Sequence, residues 1–264
     1  MASSNDDLEE QIRRNASTQR SFADFAGHRS QVMGLLTAAA AEFRGSGARL
    51  VLLGAGNCND VDLQRLAQDF QHVHLVDWDA AALQRGLALQ KLTDDPRLTL
   101  HAPVDLSGPG ESLPTAHVVA SVCLLSQLIE SVAKQFSPGS VELASAIIST
   151  VRSHLQQLVG LLQPEGIGLL ISDFATSQTA PELASATEAE MPAVVSRLLQ
   201  HGNFFQGLHP GGLYQLLIRD PWFASRISCQ IPHSPWNWRV GNRVYAVSAL
   251  VMRRKIAATG MIEA

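Results

Sequence analysis

Behind an apolar run and ahead of an acidic turn, the chain reads RLVLLGAGNCNDVDL over residues 49–63, with Gly54 and Gly56 one residue apart. Glycines that end a strand and feed a helix expose backbone N–H groups, and their missing Cβ atoms let a ligand approach the chain closely. Such a turn suits a nucleotide-like ligand. Asp77 follows in HLVDWD at about the 20-residue spacing from which a carboxylate accepts hydrogen bonds from a ribose hydroxyl pair. The dinucleotide fingerprint GxGxxG is incomplete, because Asn59 stands where its third glycine would be, and Asp60 and Asp62 would repel a pyrophosphate. A ligand with a ribose but no phosphate is compatible with those acids, and a sulfonium or ammonium cation is favoured by them.

Other reactive residue types are scattered. Cys58 has no histidine partner at a readable spacing and reads as a small buried hydrophobe. His72 and His74 flank one strand residue, and no His/Cys/Asp/Glu group has ligand spacing, so no metal is expected. In the C-terminal third, His209, Tyr214, His233, Trp236 and Trp238 are the polar-tipped or aromatic residues suited to meeting a substrate, although packing is the commoner role of each. His28 and Arg29 precede the glycine turn on a helical pattern, where an arginine could bind a carboxylate.

The elements that must position these groups follow from periodicity. Residues 5–45 read as helices, with Val32, Leu35, Leu36 and Ala39 at helical spacing, and the glycines of 45–47 stop them. Apolar runs at 48–54, 72–77, 97–102 and 116–122 then alternate with helical stretches, which predicts a parallel sheet of βαβ units. Asn59 is expected to cap the helix leaving the glycine turn and Asp79 the next one. A long helix from Val141 and a fifth strand ending at Asp173 complete that part. Residues 175–222 read as an irregular helical insert in which Pro210 begins a helix. The stretches SRISCQIPHSPWNWRV and RVYAVSALVMRR predict a closing antiparallel hairpin about a Pro- and Trp-rich turn.

Taken in order, glycine turn, Asp77, Asp105 in PVDLSG and the closing hairpin resemble the class I S-adenosylmethionine (SAM)-dependent methyltransferases over roughly residues 28–254. The resemblance implies a doubly wound α/β fold with a mostly parallel seven-stranded sheet, capped by the N-terminal helices and the helical insert. It also implies SAM as cofactor. Gly54, Gly56 and Asn57 would pass beneath its methionine part, Asp77 would hold the ribose, and Trp78 would pack on the adenine. Asp105 would accept from the adenine amino group beside the Leu106 backbone. Ser121, in VVASVCLLSQL, would line the cofactor, with Ser126 and Gln127 toward the substrate. Leu52 stands where many members have an acid and Cys58 where many have another glycine.

The domain organisation that follows is an N-terminal helical segment at 1–47, a SAM-binding domain at 48–254 with its insert at about 175–222, and a tail at 255–264. With 46% hydrophobic and 17% charged residues, the 264-residue chain can bury a large core. A net charge of -4 disfavours a polynucleotide partner, since nucleic-acid binders neutralise phosphates with basic faces. Three scattered cysteines, no signal-peptide pattern and no long apolar run lead to an expected cytoplasmic enzyme without a membrane partner.

The expected activity is therefore methyl transfer to a small-molecule acceptor at O, N or C. If a general base takes part, His209 or His233 is its candidate; Gln127, Tyr214 and Trp236 are candidates for substrate contact. Two alternatives stay open. An NAD-dependent oxidoreductase shares the glycine turn and the acid, and a non-catalytic SAM-binding protein would account for Leu52 and Cys58.

Overall fold

The computed structural model describes residues 4–107 and 112–256; Gly108 of the PVDLSG motif and most of the tail expected at 255–264 lie outside them. Helices α1 (Ser4–Thr18) and α2 (Ala26–Ala41) precede β1 (Arg49–Leu53). Then come α3 (Leu63–Asp69), β2 (His72–Val76), α4 (Ala80–Leu89), β3 (Leu98–His101), β4 (Ala116–Val122), α5 (Leu125–Ala133), α6 (Val141–Gly160) and β5 (Leu162–Thr176). A 3-10 turn (Pro181–Ala184), α7 (Met191–Gln200), α8 (Pro210–Arg219) and α9 (Pro221–Ala224) lead to β6 (Ile227–Cys229), β7 (Trp236–Val240) and β8 (Arg243–Arg254).

The strands form one sheet in the order β3-β2-β1-β4-β5-β8, with β6 and β7 both paired to β8. The first five are parallel and β8 runs against them. Helices cover both faces of the central strands, which is why β1 is apolar at successive positions instead of alternating. Leu50 and Leu52 pack with Val32, Leu36, Leu66 and Leu83 under α2, α3 and α4. Val51 and Leu53 point the other way, into a core with Leu125, Val151, Leu155 and Leu213 of α5, α6 and α8. The chain reverses its winding between β1 and β4, and a crevice opens at the carboxyl ends of strands at such a point.

Two local expectations are corrected. Asp62, not Asn59, caps α3, its side chain accepting from the Arg65 N–H; the turn after Gly56 runs longer than one residue, so the helix starts later. The reversal between the last strands is at Gly241, with φ +58°, and Asn242. The Pro- and Trp-rich stretch instead interrupts the edge strand, splitting it into β6 and β7, because Pro232 and Pro235 supply no ladder donors. Asp79 caps α4 and Pro210 begins α8, as the sequence predicts.

Candidate functional site

The turn after β1 is built from backbone conformations that side chains resist. Gly54 has φ +74° and Gly56 φ +48°, and a Cβ on Gly54 would lie 2.9 Å from the Leu124 Cβ. Cys58 adopts φ +54°, a left-handed conformation that favours glycine. The turn is hooked to the end of β2: Gly54 and Ala55 donate to the Val76 carbonyl at 2.9 and 3.1 Å, and Gly56 donates to Asp77 Oδ2 at 2.8 Å. Asp77 Oδ1 accepts from the Asp79 N–H at 2.9 Å. Burial raises the Asp77 carboxyl above its ordinary pKa while these backbone donors pull it down. Gly86 of α4 lets the helix approach, since a Cβ there would meet the Asn57 carbonyl oxygen at 2.6 Å.

Over this turn lies α1. Asn57 Nδ2 donates to the Asn15 carbonyl at 2.6 Å, Asn59 Nδ2 to the Thr18 carbonyl at 2.8 Å, and Asn15 Nδ2 to Asp79 Oδ2 at 3.1 Å. Arg29 is committed to the same assembly, donating to the carbonyls of Phe22 and Asn59 at 2.7 and 2.8 Å. A cavity of about 890 Å³ extends from here across the carboxyl ends of β1, β4 and β5. Gly54, Gly56, Asn57 and Asn59 line one end, and Ser126, Gln127, Asp173 and Thr176 the other. The β7–β8 hairpin closes it with Trp238 and Tyr245.

The far end is polar, and its carboxylate is buried. Asp173 is 4% exposed and its Oδ1 accepts from the Ser126 hydroxyl at 2.6 Å. Burial lifts its carboxyl to about 6, against the lowering effect of that hydrogen bond. Thr176 Oγ1 and Asn59 Oδ1 are buried against this cavity without a hydrogen-bond partner. His28 is buried beside it, its Nδ1 accepting from Trp236 Nε1 at 3.0 Å and its ring stacked on Trp238 at 4.8 Å. That leaves the proton on Nε2, which lies 3.3 Å from Asp60 Oδ1. Cys123, at φ +49°, turns the chain from β4 into α5. Burial pushes both the Cys58 and Cys123 thiols up, so neither is a thiolate nucleophile at neutral pH.

The remaining candidates lie elsewhere. Ser121 is fully buried, its hydroxyl 2.8 Å from His154 Nε2 beneath α6. Asp105 is exposed and accepts from its own Ser107 N–H at 2.8 Å, while Leu106 is in the core. Trp78 is half-buried beyond the end of β2. His209 caps α8, Nδ1 accepting from the Gly212 N–H at 3.1 Å, and lines a smaller apolar cavity of about 260 Å³ against α6. His233 is exposed between β6 and β7, Tyr214 packs on the α8 side of the core, and Trp236 is buried behind His28. Of the proposed substrate contacts, Gln127 is the one in the large cavity's wall, its Nε2 donating to the Cys123 carbonyl at 2.8 Å. Among the described residues, no group of three or more His, Cys, Asp or Glu could hold a metal ion, and no helix is long and apolar enough to cross a membrane.

The strand order and the cavity at the β1–β4 switch can be set beside known structures. The chain superimposes on the N-methyltransferase NodS from Bradyrhizobium japonicum WM9 in complex with S-adenosyl-L-homocysteine (SAH), with TM-score 0.57, 11% identity, and coverage of 94% of this chain and 98% of that one. The fold is that of the class I methyltransferases. The magnesium protoporphyrin IX methyltransferase ChlM from Synechocystis PCC 6803 with bound SAH matches with TM-score 0.52 and 16% identity, over 88% of this chain and 86% of that one. No protein-family model matches the sequence, and comparison with curated proteins gives no match.

Sequence reasoning missed Asn15 and Asp173. Asp173 left a trace, as the one acid inside the otherwise apolar GIGLLISDFA. Asn15 left none, because its partners are more than forty residues away in the chain.

Proposed function

We propose that the protein is a SAM-dependent methyltransferase acting on a small-molecule acceptor. The observation that carries this is the 890 Å³ cavity whose wall runs from the glycine turn at β1 to Asp173 at β5, a volume in the upper part of the range of small-molecule sites. Bound SAM supplies an electrophilic methyl on a sulfonium. The residues fit such a group: the glycines permit close approach, no pyrophosphate is needed beside Asp60 and Asp62, and buried oxygens of Asn59 and Thr176 await donors. Gly54, Gly56 and Asn57 would hold the methionine part. Asp77 would accept from the ribose through lone pairs that its backbone donors leave free, with Trp78, Asp105 and the Leu106 backbone toward the adenine.

Asp77 is 2% exposed and sits behind the cavity wall, and Asn15 of α1 lies over the neighbouring Gly56, so this reading requires α1 to shift for a ribose to reach the carboxylate. Catalysis would then rest on holding two reactants in line away from water, an effect that can contribute about 7–11 kcal/mol to lowering a barrier. The same walls would exclude hydrolysis. His209 and His233 stand outside the cavity wall in this arrangement, so neither is proposed as a base.

Calorimetric titration with SAH and, in parallel, NADH tests the reading. Binding of SAH alone, weakened about 10-fold or more in Asp77→Ala, is expected for a ribose-holding carboxylate. Binding of NADH alone would replace it with the oxidoreductase reading. SAH binding together with slowed hydrogen exchange in α1 would identify that helix as the cover that re-closes on the cofactor.

A further inference from the structure

The acceptor end of the cavity carries a carboxylate without a cationic partner. Asp173 lies at the end of β5, separated from β1 and its glycine turn by β4, and is therefore displaced from the cofactor end. Of the lining arginines, Arg14 is paired with Glu10 at 3.2 Å and Glu130 at 2.8 Å, and Arg243 is exposed at the start of β8. The groups facing Asp173 are Ser126 and Glu130 from α5, Cys123 from the end of β4, and His28 from α2. His28 uses Nδ1 to accept from Trp236, and its Nε2 lies 3.3 Å from Asp60 Oδ1 with neither atom hydrogen-bonded, so no hydrogen bond ties His28 to Asp173 and it acts on that carboxylate only through space. Near it the Thr176 hydroxyl is buried and unpartnered. Phe25, Phe205, Trp238 and Tyr245 supply flat apolar walls.

A carboxylate kept dry at the expense of its own solvation is retained where a ligand supplies the missing donor. We propose that Asp173, positioned by Ser126, binds the reacting nitrogen of an amine acceptor carried on a flat, apolar body, and receives the proton that the nitrogen loses. The inference rests on the methyltransferase reading and names its substrate class. Before transfer the bound ammonium gives one proton to the Asp173 carboxylate and on to solvent, which frees the nitrogen lone pair; one N–C bond then forms as one S–C bond breaks, the sulfur keeps the bonding pair, and the methylated nitrogen's surplus proton leaves by the same carboxylate. The aromatic walls would stack on the acceptor body and add a cation–π contribution while its nitrogen is charged.

Calorimetry on the full chain saturated with SAH, using tryptamine and phenethylamine against tryptophol and 2-phenylethanol, tests the proposal. Amines should bind and the matched alcohols bind at least about 10-fold more weakly, the difference a charge-assisted hydrogen bond makes. Asp173→Asn should abolish that preference while leaving SAH affinity unchanged, and Ser126→Ala should reduce it. Amine binding should weaken as pH falls through about 6, where Asp173 takes up a proton. The melting temperature of Asp173→Asn at pH 7.5 should rise, because the variant removes a desolvated charge; a merely structural carboxylate would show the opposite. Equal binding of alcohols and amines, amine binding unchanged in Asp173→Asn, or no amine binding to the SAH-loaded wild type would overturn the proposal. A parallel loss of SAH affinity in Asp173→Asn would also overturn it, assigning the carboxylate to the cofactor's own ammonium. Failure of SAH to bind the wild type would instead remove the methyltransferase reading beneath it.

Discussion

Gly54 occupies a position where both backbone and space exclude a side chain. Its φ of +74° is one that L-residues rarely adopt, and its absent Cβ would press on Leu124 at the start of α5. Gly54→Ala should cost about 1–3 kcal/mol in urea unfolding and, by pushing α5 from the turn, weaken SAH binding as well. His154 raises a different issue. It is buried, its Nδ1 is unpartnered, and desolvation holds its pKa near 4. A histidine whose folded pKa lies below its unfolded value of 6.5 contributes stability that is present above 6.5 and lost as pH falls toward 4. The loss attributable to this residue is on the order of 3 kcal/mol. His154→Gln should flatten the decline between pH 6.5 and 4 in denaturant titrations, and an unaltered slope would show that other groups carry it.

At the scale of elements, α1 is fastened mainly by side-chain amides. Asn57 and Asn59 donate to carbonyls near its C-terminal end, and Asn15 spans to Asp79 at the start of α4. Asn59→Ala removes one such fastening without touching the sheet, so α1 amides should exchange faster while the thermal unfolding of the body shifts by no more than about 1–2 kcal/mol. Elements whose signals are local were readable in advance. The strand-turn-helix at Gly54, the Asp79 cap and the Pro210 start each reside within a few neighbouring residues. The glycine-turn end of the cavity was legible for that reason, since its glycines are contiguous with the strand that presents them. Its acceptor end was not, because Ser126, Asp173 and Trp238 converge from α5, β5 and β7 only after the sheet is assembled. The edge strand was misread at Pro232 and Pro235, where turn composition within an extended stretch marks an interruption instead of a reversal.

Across the whole molecule, acid has opposed effects. Protonating Asp173 relieves a penalty as pH falls from about 6 toward the ordinary carboxylate range, whereas His74, also held near 4, and His154 withdraw stability over a similar span. Asp173→Asn should therefore lose more stability between pH 7 and 4 than the wild type does, although it begins from a higher value. Circular dichroism melts at three pH values would check the difference. The interrupted edge also bears on how copies of this chain behave toward one another. Sheet margins invite a stranger's backbone to pair, and the two margins here are poorly suited to it: β3 has four residues, and the other margin is broken between Cys229 and Trp236 with two prolines in the gap. The proline pair that interrupts the edge strand thus leaves this margin a poor template for a second chain, and replacing it with residues that complete the ladder would expose a longer border for pairing.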